Sequence, residues 1–296
     1  MCDEHTESEN AAWMARQGIG RREFGQLGAA VSAAMLLPAC AQGETSASGQ
    51  IAVASREVTI STANGSADAF FVTPEKGRHP AIILWPDIAG LREAYRVMGT
   101  RLAQAGYAVL VVNQYYRSAK APILNSLSEW RTDEGQAKLK PMIAAITPAG
   151  TSSDAAAFVD WLGSQPEVDT KRKIGTSGYC MGGPFTFRTA AARPDRVGAL
   201  ASFHGGNLVN DTPDSPHLLL PKMKAALLVA IAQNDDAREP ATKETLREAA
   251  KAAGRKAEIE VYPAQHGWCT IDAPVYDRQA AEKAWDRMLA TFQQYL

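Results

Sequence analysis

Ile174-Gly175-Thr176-Ser177-Gly178-Tyr179-Cys180-Met181-Gly182-Gly183-Pro184 joins a short apolar run to a helical pattern through a turn dense in glycine. The spacing is Gly-x-Cys-x-Gly, the form of a strand-to-helix elbow with a nucleophile at its apex. So sharp a turn holds its apex residue in strained backbone, and bulky side chains two residues before and two after would collide. Gly178 and Gly182 remove those side chains. The helix that follows aims amide groups and a positive dipole end at Cys180, which lowers the cost of a thiolate. A glycine-rich turn with an inert buried cysteine would share the local pattern. The strand before it and the helix after it favour the reactive reading.

Outward from this turn, strands alternate with helices. Arg56–Ile60 and Ala67–Thr73 flank Asn64-Gly65, a hairpin dipeptide, and predict an antiparallel opening pair. Ala81–Trp85, Ala108–Asn113, Ile174–Gly178, Ala199–Phe203, Ala226–Ala232 and Ala257–Tyr262 read as buried strands. Arg92–Ala105, Ser153–Leu162, Pro184–Ala192, Thr242–Ala253 and Asp277–Tyr295 read as helices, with Gly106 and Gly254 where C-caps belong. The alternation predicts an α/β domain with a mostly parallel sheet and helices on both faces. Ser118–Gly150, polar and carrying Pro122, Pro141 and Pro148, reads as an irregular excursion over one end of the sheet. In such sheets ligands bind beyond the carboxyl ends of the strands.

Two of those ends carry the partners a cysteine nucleophile needs, in the order nucleophile, acid, base. The run Ala226–Ala232 ends in Gln233-Asn234-Asp235-Asp236. Asp235 lies nearer the strand and is preferred as the acid over Asp236. The alternative is a pair of loop carboxylates capping the next helix. Ala257–Tyr262 is followed by Pro263-Ala264-Gln265-His266, so His266 sits where the base belongs. His204, after Phe203, precedes the acid in the chain and is read as a hydrogen-bonded residue at the sheet end.

The amino terminus is set apart from the fold. Gly20-Arg21-Arg22-Glu23-Phe24 resembles a twin-arginine export signal, and Leu27–Leu37 is a modest apolar run that suits a signal core. Ala39-Cys40-Ala41 reads as a small-x-small cleavage site. Alternatively, Leu37-Pro38-Ala39-Cys40 is an imperfect lipobox with Cys40 as a lipid anchor. Residues 1–41 are therefore expected to be an export signal, 42–50 a flexible linker and 51–296 the folded domain, periplasmic or envelope-anchored. No apolar run reaches the roughly 20 residues of a membrane span.

The chain has 296 residues, 46% of them hydrophobic and 21% charged, the balance of a globular protein. Segment 1–41 holds Arg16, Arg21 and Arg22 against Asp3, Glu4, Glu7, Glu9 and Glu23. The remainder thus has 28 basic and 27 acidic residues. That balance argues against a nucleic-acid partner. After cleavage at Ala41 only Cys180 and Cys269 remain, too few for a disulfide scaffold.

The chain resembles the dienelactone hydrolase family of α/β-hydrolases, from about residue 56 to 296. The resemblance rests on Gly178-Tyr179-Cys180-Met181-Gly182-Gly183, on His266-Gly267-Trp268, and on Pro86-Asp87-Ile88-Ala89-Gly90-Leu91-Arg92 followed by Leu102-Ala103-Gln104-Ala105-Gly106-Tyr107. It implies a triad of Cys180, His266 and Asp235, hydrolysis of an ester or lactone through a thioester, and no metal or organic cofactor. Where the family commonly has a glutamate that helps activate the cysteine, this chain has Asp87, which does that work at altered reach or only holds its loop. Of the family's two carboxylate-gripping arginines, one matches Arg117 and the other falls near the neutral Thr270. Arg117 alone could equally be a surface charge.

The oxyanion formed on attack needs backbone donors. Met181 N–H, after the nucleophile, is one, and Ile88 N–H, in the loop after Trp85, is the expected second. Trp85, Tyr116, Trp130 and Trp268 are candidate pocket walls or plain core. Two other classes fit the same residues: an exported binding relative, in which Cys180 pairs with Cys269, and an acyltransferase.

Overall fold

A computed structural model describes residues 4–16 and 51–296. The Asn64-Gly65 turn joins β1 (Val53–Thr62) to β2 (Gly65–Pro74), antiparallel with Thr62 opposite Gly65. The chain then alternates: β3 (Ala81–Trp85), α2 (Glu93–Gln104), β4 (Ala108–Val112), α3 (Asp133–Ala144), α4 (Pro148–Gly163), β5 (Ile174–Tyr179) and α5 (Gly183–Ala192). β6 (Val197–Phe203), β7 (Ala226–Ala232), α6 (Gln233–Arg238), α7 (Thr242–Ala252), β8 (Ala257–Tyr262) and α8 (Arg278–Tyr295) complete it. A further helix, α1 (Glu4–Arg16), precedes the domain.

The sheet runs β1-β2-β4-β3-β5-β6-β7-β8. β2 meets β4 antiparallel, and every pairing from β4 to β8 is parallel. All residues of β3, β4, β5 and β7 are buried, because helices cover both faces. Successive strand residues feed two cores. Ile83 and Trp85 face Phe158 of α4 and Phe187 of α5; Ile82 and Leu84 face Leu102 of α2 and Phe292 of α8. This is the α/β-hydrolase architecture expected of the chain.

The strands lie where the sequence predicts them, to within a few residues at the ends. The excursion 118–150 departs from expectation. Thr132 caps α3 by accepting from Gly135 N–H, and Thr147 caps α4 with Pro148 in its first turn. α4 therefore starts five residues before the expected Ser153. The Asp235 segment is a short helix rather than an open loop. The export motif, Cys40, the cleavage site and the linker lie outside the described residues, but Glu4–Arg16, counted with the signal, forms a helix that contacts the domain. Among the described residues no helix is long and apolar enough to cross a membrane.

Phe292 is fully buried in the second core, with its ring edge-on to Tyr107. Phe292→Ala should lower unfolding free energy by about 3–5 kcal/mol. Leu218→Ala, at an exposed position, should change it by less than about 0.5 kcal/mol. Urea denaturation of the two variants checks both values.

Candidate active site

Cys180 has φ +51°, among the few non-glycine residues with positive φ, and stands between β5 and α5. A side chain on Gly178 would put Cβ 2.1 Å from the Gly182 carbonyl oxygen. One on Gly182 would meet the Trp85 carbonyl oxygen at 2.4 Å. Both glycines are thus required by close backbone approach, and the second contact seats the elbow against the end of β3. Cys180 itself is 1% exposed.

β7 and β8 deliver the next two groups. Their register pairs Ala232 with Tyr262, so α6 and the loop after β8 leave the sheet side by side. Asp235 Oδ2 accepts from His266 Nδ1 at 2.7 Å. The other Asp235 oxygen is ion-paired with Arg238. Asp236 points away to Lys243, and α7 takes no side-chain cap from either carboxylate. Asn234 Oδ1 accepts from the His266 backbone N–H at 2.8 Å, which holds the loop to α6.

His204 is part of the cluster as well. In the β5–β6 register Tyr179 lies beside Phe203, so the residue that follows each strand lies beside the other: Cys180 and His204. His204 also has positive φ, at +39°, and its ring centroid is 4.7 Å from that of His266. The Cys180 sulfur and ring nitrogens of His204 and His266 lie within 4.8 Å of one another; these three could also hold a metal ion. Chain order pointed away from His204. The signal that reveals it is its place after the strand neighbouring the elbow.

The two imidazoles differ in charge. Burial works against a charged His266, but the Asp235 carboxylate and the Cys180 sulfur overcome it and push it up to about 10. Asp235 is correspondingly held below the ordinary carboxylate range, against the effect of its burial. His204 is pushed down by burial, which its neighbours do not offset, so it stays neutral.

Asp87 lines the cleft with Cys180, but both its oxygens are committed. Arg92 grips them at 2.7 and 3.0 Å, and Ala89 N–H donates to one. Arg92 also pairs with Asp272 at 2.7 Å. Burial holds the Asp87 carboxyl above its ordinary value, a rise that the Arg92 guanidinium opposes only in part. Arg92 is held well above its ordinary value, and with two carboxylates on one buried guanidinium we take the group as ionic. Tyr115 ties the two oxyanion-side segments together: its hydroxyl donates to the Ile88 carbonyl at 2.7 Å and lies 3.8 Å from the Met181 sulfur.

Other expected site residues sit elsewhere. Arg117 is paired with Asp154 at 2.7 Å and stacked over Tyr116, and it is not among the residues lining the cleft. Arg131 and Leu127, from the excursion, line it instead. Trp268 is fully buried, stacked on Tyr262 and edge-on to His204 at 5.2 Å, so it backs that imidazole instead of walling the cleft. Trp85, Tyr116 and Trp130 belong to the first core, and Thr270 is buried. Cys180 and Cys269 are both buried and form no disulfide. They belong to cores on opposite faces of the sheet, which keeps them from forming the disulfide of the binding reading.

Comparison with known proteins gives the chain its family. The dienelactone hydrolase family pattern matches residues 67–296. A protein of Methylorubrum extorquens described as "Putative carboxymethylenebutenolidase" is 30% identical, covering 85% of this chain and 84% of that one. One of the same description from Escherichia coli is 29% identical over 80% of this chain and 86% of that one. A crystal structure titled "Putative Dienelactone Hydrolase", from Klebsiella pneumoniae, superposes with a TM-score of 0.71 at 26% identity. That match covers 82% of this chain and all of the other. The chain therefore belongs to the dienelactone hydrolase family and is a hydrolase of the α/β-hydrolase fold.

Proposed function

We propose that this hydrolase cleaves carboxylic esters or lactones through a Cys180–His266–Asp235 triad and a thioester intermediate. One observation carries the reading: Asp235 holds His266 Nδ1 at 2.7 Å while the same imidazole has a ring nitrogen within 4.8 Å of the Cys180 sulfur. The carboxylate keeps the imidazole oriented and charged, and the imidazolium stabilises a neighbouring thiolate. Sγ attacks the carbonyl carbon, forming a C–S bond and placing the former π electrons on oxygen. The N–H groups of Met181 and Ile88 are the proposed donors to that oxyanion, each worth about 10²–10³ in turnover. Collapse breaks the C–O bond, and His266 gives its Nε2 proton to the departing alkoxide. His266 then takes a proton from water, whose oxygen attacks the thioester. Collapse of this second intermediate breaks the C–S bond, the carboxylic acid leaves, and the thiolate of Cys180 is again paired with protonated His266.

A thiolate leaves more readily than an alkoxide, so activated esters and strained or enol lactones are the favoured substrates. Neutral His204 is a second polar neighbour for the sulfur that does not compete for the proton. Asp87, committed to Arg92, is assigned the holding of the loop that carries Ile88. We also propose export through Arg21-Arg22, with processing between Ala39 and Gln42. Intact mass of the protein from its native envelope should lack the first 39 to 41 residues; a full chain from Met1 in the cytoplasm would overturn it.

Cys180→Ala should abolish turnover of p-nitrophenyl acetate, roughly 10⁴-fold or more, and His266→Ala should be comparably damaging, because the pair acts as a unit. Cys269→Ala should retain most activity. After rapid quenching, the acyl mass should map to the peptide containing Cys180. Mapping to a serine would sink the mechanism.

The charge on His266 gives a separate test. Its contribution to stability is present in full below the unfolded value of 6.5 and is lost as pH rises through about 10. Asp235→Asn removes the nearest negative charge. The NMR titration of His266 should then fall from near 10 toward or below 6.5, and turnover should drop by about 10³–10⁴-fold. An unchanged titration would show that Asp235 is not the partner.

A further inference from the structure

We infer that the mouth of the cleft is a docking surface for this chain's own helix α1, and that the docked helix keeps the enzyme shut until it is displaced or removed. The inference rests on the proposed esterase reading for its consequence, but not for its geometry. Thr6, Asn10 and Met14 are spaced four apart, so they share one face of α1, and they are 0%, 5% and 8% exposed. That face lies against the domain. Thirteen residues are marginal as an isolated helix in water, so docking supplies much of α1's stability.

The anchors reach the groups that position the proposed base. Asn10 Nδ2 donates to the His266 carbonyl at 3.1 Å. Asn234, which accepts from His266 N–H, also donates to Glu9 Oε2 at 2.9 Å. Arg238, ion-paired with Asp235, donates to Thr6 Oγ1 at 3.0 Å. Thus α1 is tied to the His266 backbone directly, to Asn234, which holds the His266 loop, and to the ion-pair partner of Asp235.

Its position closes the site. Asn10 lines the cleft together with Cys180, His204 and His266. With α1 in place, each of those three is 1% exposed. The space left beside them has room for roughly one water. An ester needs more room than this, and with Asn10 among the residues lining the cleft the inferred opening step is the departure of α1. The helix lies ahead of Arg21-Arg22, and processing between Ala39 and Gln42 would detach it from the domain. The unprocessed chain would therefore be latent and the processed chain open.

The test compares the full chain, full-chain Asn10→Arg, and residues 42–296. The shortened form is a complete fold, since 82% of this chain matches the whole of the Klebsiella structure. Two readouts are taken: the rate of iodoacetamide alkylation mapped to the Cys180 peptide, and turnover of p-nitrophenyl acetate and butyrate. Residues 42–296 and Asn10→Arg should both be alkylated at least tenfold faster than the full chain. A synthetic peptide of residues 1–19 should slow the shortened form again. Equal alkylation of the full and shortened chains, or a peptide without effect, overturns the inference. Faster alkylation with no turnover of any ester would uphold the docking and refute the esterase reading instead.

Discussion

The backbone at Cys180 is forced to positive φ by a turn that leaves no room between the end of β5, the start of α5 and the end of β3. A Cβ on Gly178 or Gly182 would collide with backbone, which cannot move aside. The rest of the cleft is arranged around this constraint. Because the elbow presses on the carbonyls of Trp85 and Pro86, the loop carrying Asp87 and Ile88 must lie beside the sulfur. Because β6 pairs with β5 in parallel, His204 lies on the other side. The sheet thereby converts one strained turn into a cluster with fixed members.

Two buried charge groups flank the sulfur, and they are built differently. Arg92 is fully enclosed and divides its guanidinium between Asp87 and Asp272, which tethers the loop after β3 to the segment after β8. Removing Arg92 would leave the buried Asp87 carboxylate uncompensated, a loss of about 3–5 kcal/mol. This group is committed to structure. The Asp235–His266 pair ends instead on the ring nitrogen facing Cys180, so its charge is directed at the sulfur. Asp87 and Asp235 thus differ in what their neighbours leave them free to do, although both line or border the same cleft.

The loops that complete the cleft are supported at second hand. Tyr115 bridges the Ile88 and Met181 segments, Asn234 pins the His266 loop to α6, and Trp268 backs His204 from the second core. None of these acts on a substrate in the proposed reaction. Each limits the motion of a group that does, as a preorganised site requires. The anchoring of α1 uses this same supporting layer, which explains how a helix outside the domain can reach the centre of the cleft.

Much of this was legible in the amino-acid sequence by itself. Apolar runs of five to seven residues bounded by turn residues mark the strands, because a strand buried on both faces has no polar side to show. The glycines around Cys180 and the order of Asp235 and His266 marked three members of the site, since these depend on local turn geometry and on connectivity. What only the tertiary structure decided depends on pairing between distant segments. The choice of Asp235 over Asp236 needed the direction in which α6 turns each carboxylate. His204 entered through strand register, which no local pattern encodes. Arg117 was matched to a family position and Trp268 was one of four aromatics read as pocket wall or core; in the fold Asp154 pairs with the arginine and Tyr262 stacks on the indole. The docking of α1 was the least legible, since a short polar helix acquires its buried face only when the surface it meets has been assembled.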